Sequence, residues 1–120
     1  MIEAILRSNR RIQSRINRYG LTEDSFASSD AEIIARCDSA LMPLFVLAED
    51  ACHLSESVQN ALDGVPWREI RGFRNFVAHG YWELDPRVVW EVATDSAPAL
   101  AAALEGACRK HIAGGPLLGT

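Results

Sequence analysis

Apolar and polar positions along this chain alternate with the period of a helix, not of a strand. Ile2, Ile5, Ile12, Ile16 and Tyr19 recur at three-, four- and seven-residue spacing, one stripe of a helix over 2–19. Gly20 is a natural stop for it. Residues 21–29 read as a polar loop pinned by Phe26. Ser29 or Asp30 caps a second helix over about 30–53, with Glu32 favourably placed in its first turn. Its predicted buried side is Ile34, Cys37, Leu41, Leu44, Phe45, Ala48, Ala51 and Cys52. Pro43, in mid-helix, predicts a lost hydrogen bond and a bend. A short helical turn follows near 55–62, and Gly64, Val65 and Pro66 break the chain. A third helix runs from Pro66, suited to the first turn, to His79, before Gly80. Asp85 followed by Pro86 is the start signal of a fourth. Pro98 predicts a break near Asp95, itself a second possible cap, and a last helix covers about 96–112. The sum is an all-α, antiparallel bundle of four to five helices in a single domain, 1–113, with a flexible tail at 114–120.

Composition fits one domain with an ordinary core. The chain has 120 residues, 48% of them apolar, and a net charge of −4. The surface as a whole therefore does not advertise nucleic-acid binding, but its positive charge is uneven. Eleven of the twelve basic residues are arginine, whose planar fork suits bidentate phosphate contacts. Arg7, Arg10, Arg11, Arg15 and Arg18 crowd the first helix, most of them opposite its apolar stripe. They read either as a solvated face paired with acids or as a phosphate-binding surface. Cys37, Cys52 and Cys108 are widely spaced in apolar helical runs and form no CxxC, which predicts small core residues in a reduced, cytoplasmic protein. The sequence start has no apolar signal segment, and no apolar run reaches the roughly 18 residues of a membrane span.

Candidate chemistry concentrates in residues 71–82, RGFRNFVAHGYW. On a helical wheel Trp67, Ile70, Phe73, Phe76 and Val77 form one broad apolar arc. Arg68, Arg71, Asn75 and His79 cover the other side. Arg74 is anomalous, because it falls within the arc. A buried arginine is costly unless paired, so its guanidinium should be largely shielded and matched by an acid. Glu49, Asp50 and Asp38 of the second helix are the candidates, unless a dimer mate supplies one. His79 sits where the negative end of the helix dipole favours an imidazolium, which suits a proton shuttle or a simple C-cap. Asn75, four residues earlier, shares its face and is placed to orient the ring. Arg74 and His79, five apart, do not share a face, so they converge only through the long arginine side chain, through the helix end or across a two-fold dimer, and the dimer is the expectation. Tyr81 and Trp82 are either part of this constellation or packing aromatics.

The segment Arg74-Asn75, four residues from Arg74 to His79, then one to Tyr81, resembles the signature of the HEPN superfamily, and of its HepT-type ribonuclease toxins in particular. Its surroundings are similar as well: Trp67-Arg68-Glu69-Ile70 before it, the Asp85 to Trp90 helix start after it, and the Asp95 to Pro98 step. The resemblance is strong over about 60–100 and looser elsewhere. It departs at the second helix, where the family's Gly-Glu-Ala step is replaced by Ala48-Glu49-Asp50-Ala51.

The resemblance implies a homodimeric, metal-independent endoribonuclease that needs no cofactor. An RNA 2′-hydroxyl would attack its own phosphate, leaving a 2′,3′-cyclic phosphate. His79 would move the proton, Arg74 would stabilise phosphate charge, and Asn75 would hold His79. Arg68 and Arg71 are candidates for gripping RNA. It also implies a toxin–antitoxin pairing, in which an MNT-type nucleotidyltransferase silences the toxin by adding AMP to Tyr81. The alternative is a non-catalytic helical module that binds a nucleotide or substrate beside such a nucleotidyltransferase, since one fold serves several functions. An intact Arg74/His79 pair favours the nuclease; the acidic overall charge favours the module.

Overall fold

A computed structural model describes residues 1–80 and 84–112. The tail over 114–120, and Tyr81 and Trp82, lie outside the described residues. Everything regular within them is helical, with no strand. Helix α1 spans Ile2–Tyr19, α2 Ala31–Cys52, α3 Glu56–Ala61, α4 Trp67–Gly80, α5 Pro86–Glu91 and α6 Ala97–Ile112. Among these residues no helix is long and apolar enough to cross a membrane.

Local chemistry sets most boundaries. Gly20 closes α1 in the left-handed conformation at φ 59°, and its amide reaches back to the carbonyls of Ile16 and Asn17. Asp30 caps α2 by accepting from the amides of Glu32 and Ile33. Ser55 caps α3 by accepting from the Val58 amide, and Asp85 caps α5 by accepting from that of Arg87. Between α1 and α2 a 3₁₀ turn, Glu23–Ala27, carries Phe26 onto Trp90, with ring centroids 6.2 Å apart. The expected pin for the loop is thus in place.

The break expected at Asp95 does not occur. Helix α5 passes through a π-helical turn, Val92–Ser96, into α6 without stopping, and Asp95 lies inside that turn. The Ala97 amide donates to the Val92 carbonyl, five residues back. In that register the next amide belongs to Pro98, which has none to give. The Ala93 carbonyl it would have met accepts instead from Gln13 Nε2 of α1 at 2.8 Å. A side chain from another helix thus supplies the donor the proline lacks. Helix α2 likewise runs unbroken through Pro43.

The core lies where α1, α2, α4 and α6 meet. Ile5 and Ile12 of α1, Leu44 and Leu47 of α2, Ile70 and Phe73 of α4, and Leu100 and Leu104 of α6 are fully buried. Each fully buried aliphatic or aromatic side chain of this kind stabilises the fold by about 1.5–3 kcal/mol. Helices α2 and α4 run antiparallel, since Arg74 meets Glu49, Phe73 stacks near Phe45 at 5.9 Å, and Val77 reaches the cleft of Asp38 and Leu41.

Three apolar expectations fail in one informative way. Tyr19, Ile34 and Phe76 belong to the predicted apolar faces, yet they are 37%, 43% and 46% exposed. Met42 and Val46 of α2 are 61% and 46% exposed. Helix α2 is apolar around more of its circumference than this chain covers. Ile34 and Phe76 lie at the outer edges of their arcs, beyond the line along which α2 and α4 touch. Arg74, the charged member of the α4 arc, is paired with an acid as expected and keeps 38% of its side chain exposed. It sits at the opposite edge of the α4 arc, where the helix leaves the core.

Candidate functional site

The site is built on the packing of α4 against α2. The antiparallel register brings Arg74 opposite Glu49, one of the three acids the sequence offered. Arg74 Nε donates to Glu49 Oε2 at 2.8 Å and Nη2 donates to Oε1 at 3.3 Å. This is the two-pronged geometry that holds a guanidinium plane in a fixed orientation. The third nitrogen, Nη1, donates to Asn75 Oδ1 at 3.3 Å. The Arg74 hydrogen bond is the main reason the Glu49 carboxyl is held below its ordinary value, against partial desolvation. The same bond raises the Arg74 guanidinium further above its ordinary value.

Asn75 is therefore turned to Arg74, not to His79. His79 lies in the last turn of α4, exposed, and has no hydrogen-bond partner among the described residues. Within one chain the structure brings Arg74, Asn75 and Glu49 together and leaves His79 apart.

Arg68 and Arg71 face different clefts. Arg71 donates to Gln59 Oε1 at 2.8 Å and lies over the Trp67 ring at 6.0 Å. It lines a cleft of about 510 Å³ with Leu54, Gln59 and Asn60. Arg68 borders a smaller one, about 240 Å³, with Phe73, Val88 and Glu91. The two candidates for gripping RNA thus border different clefts.

Two neighbours escaped the sequence reading. His53, at the end of α2, has Nδ1 at 2.8 Å from the Glu49 carbonyl and 3.6 Å from Glu49 Oε1. Its four-residue spacing from Glu49 was the available signal. Gln59, the partner of Arg71, gave none. Cys52, between these groups, is half-buried, and burial raises its thiol although Arg74 and Arg71 act in the other direction. Cys37 is buried as expected, and all three cysteines are free. Among the described residues no three His, Cys, Asp or Glu side chains are grouped to hold a metal ion.

Comparison with known proteins agrees with the motif. The family described as "Ribonuclease HepT-like" matches residues 5–107, nearly the whole helical body. A Methanocaldococcus jannaschii protein described as "Putative RNase MJ1380" is 23% identical over 62 residues, 52% of this chain. That match spans 57% of the relative's own length. No solved structure matches with statistical significance. The matched span takes in Glu49, Arg74 and His79 and the helices that present them, and the chain belongs to the HepT-like ribonuclease family of the HEPN superfamily.

Proposed function

We propose that this protein is a metal-independent endoribonuclease whose chemistry is carried by Arg74 and His79. The observation that carries the reading is the Arg74 fork, fixed by Glu49 and Asn75 yet more than a third exposed. A guanidinium held in place but open to solvent is preorganised to receive a phosphate oxygen as charge develops on it, a role worth about 10²–10³-fold by analogy with oxyanion donors. His79, unengaged at the helix end, takes the proton of the attacking 2′-hydroxyl, a contribution of about 10²–10⁴-fold. The bond from the 2′-oxygen to phosphorus forms as the bond to the 5′-oxygen breaks, and the leaving 5′-oxygen takes a proton from water, giving a 2′,3′-cyclic phosphate and a 5′-hydroxyl.

The working unit in this reading is a two-fold dimer. Ile34, Met42, Val46 and Phe76 are exposed apolar side chains on α2 and α4, beside a cleft of about 440 Å³ lined by Asp38, Leu41, Met42, Phe45 and Val77. Glu49 and Arg74 border this apolar strip, so a copy packed on it brings two motifs face to face. Such exposed apolar strips commonly mark interfaces. By family resemblance the protein is the toxin of a toxin–antitoxin pair, and an MNT-type nucleotidyltransferase silences it by adding AMP to Tyr81. Bulk and negative charge beside His79 would repel an RNA backbone.

Purified protein in EDTA is expected to cleave RNA and leave 2′,3′-cyclic phosphate ends, read by mass spectrometry, while sedimenting as a dimer. A folded dimer inert on several RNAs would return the chain to the alternative, a nucleotide- or substrate-binding module beside a nucleotidyltransferase.

A further inference from the structure

The arginines of α1 take no part in the site described above. Arg7, Arg11, Arg15 and Arg18 follow one another at four-, four- and three-residue steps, so they form one ridge along the helix. Eleven residues of helix make that ridge about 16 Å long. None of the four has a carboxylate partner among the described residues. Arg15 donates to the Arg11 carbonyl at 3.5 Å, and the Arg18 guanidinium lies 5.7 Å from the Tyr19 ring centroid. Elsewhere Arg10, Arg36, Arg74, Arg87 and Arg109 each stand within salt-bridge distance of an acid. The first twenty residues contain five arginines and one acid, Glu3, in a chain whose net charge is −4. Like charges four residues apart weaken a helix, so the run opposes the stability of α1.

A second observation lies at the end of the ridge. The Tyr19 ring is flanked by Arg18 and by Arg36 of α2, at 5.7 and 5.6 Å, and remains 37% exposed. A half-open aromatic between guanidinium groups is a platform on which a base can stack. Arg36 fixes this platform at the Ala31–Ala40 end of α2. Val77 of α4 lies against Asp38 and Leu41 at the same end, with His79 two residues beyond it.

We propose that the α1 ridge and Tyr19 form a docking surface for a single RNA strand, phosphates on the arginines and a base on the tyrosine, leading toward the end of α2 where His79 lies. The choice of RNA as the polyanion rests on the ribonuclease reading. The ridge is built of arginine alone, whose forks match phosphate oxygens, and it ends in an aromatic group that an acidic protein would not require. Its contribution is to substrate affinity, through counterion release, and not to the chemical step.

The test is equilibrium binding, which needs no turnover. A labelled single-stranded RNA is titrated with full-length His79→Ala protein by fluorescence anisotropy over a salt series. Replacing Arg7, Arg11, Arg15 and Arg18 together by glutamine, a good helix former, is expected to weaken binding at low salt at least tenfold. The slope of log K against log salt should flatten by about 3, at ~0.7 per phosphate contact on a single strand. Lysine at the same four positions should keep the slope, and circular dichroism verifies that each variant is folded. Tyr19→Ala should weaken binding roughly tenfold and leave the slope alone, as loss of one stacked base would. Unchanged RNA affinity and slope in the glutamine variant overturn the proposal. So does a variant that loses only its affinity for polyglutamate, since the ridge would then serve an acidic protein. Ridge-dependent RNA binding by a protein that never cleaves would sink the nuclease reading and leave this one standing.

Discussion

Helices α1 and α4 hold eight of the twelve basic residues, and they place them in opposite circumstances. On α4, Arg74 is gripped at three nitrogens by Glu49 and Asn75, and Arg71 is held by Gln59 above Trp67. On α1, Arg7, Arg11, Arg15 and Arg18 have no acid to meet among the described residues. The residue type is the same, and the neighbours decide what it can do. A guanidinium held in one orientation is suited to charge that develops at one point, because no reorganisation is needed when it arrives. A row of unpaired ones suits a flexible polyanion, whose phosphates need not be in fixed places. The first arrangement should act on the chemical step and the second on capture.

The sharpest way to break this contrast is Arg74→Lys. An ammonium cannot reproduce the two-pronged contact with Glu49 or present the same plane to a phosphate. The expected result is a fall in kcat on the order of 10²-fold, with a smaller change in KM. A variant whose KM rises while kcat holds would put Arg74 in the same class as the α1 ridge.

A smaller effect should come from Glu49→Gln, which leaves the arginine but loosens its fixing; kcat is expected to fall about tenfold, as for a modest misplacement of a catalytic group. The stability gap between wild type and this variant should also depend on pH. Glu49 is held below its ordinary value of 4.5, chiefly by the Arg74 hydrogen bond. A carboxyl depressed by folding stabilises the folded state above that ordinary value, and the contribution fades as pH falls through the depressed one. Thermal melts should thus show wild type above Glu49→Gln at neutral pH, with the gap closing in acid. A gap that widens in acid would mean the pair is not what holds Glu49.

Much of this was legible in the sequence, for reasons that differ along the chain. Gly20, Asp30 and Asp85-Pro86 mark helix ends because capping is local: a side chain or a left-handed glycine satisfies amides or carbonyls within a few residues. The passage through Asp95 to Pro98 was not legible, because its remedy, Gln13 donating to Ala93, comes from another helix. Glu49, Asp50 and Asp38 were equal candidates until the register of α4 on α2 chose among them. Asn75 shares a face with His79, yet its oxygen is taken by Arg74, its immediate neighbour in sequence. A helical wheel also reports an apolar face without saying what covers it, so Ile34 and Phe76 read as core and emerge exposed. In the dimer reading that surplus is where the second copy belongs.

The central claim is that Arg74 and His79 carry the cleavage of RNA without a metal. Its most direct measurement is the single-turnover rate of wild type and of His79→Ala in EDTA, on one RNA, with the fold of each verified by circular dichroism. His79 is exposed and has no partner among the described residues, so its loss should leave the melting temperature nearly unchanged. The account predicts cleavage by wild type and a loss of at least about 10²-fold in the variant. Cleavage by His79→Ala at the wild-type rate, or no cleavage by either, would contradict it.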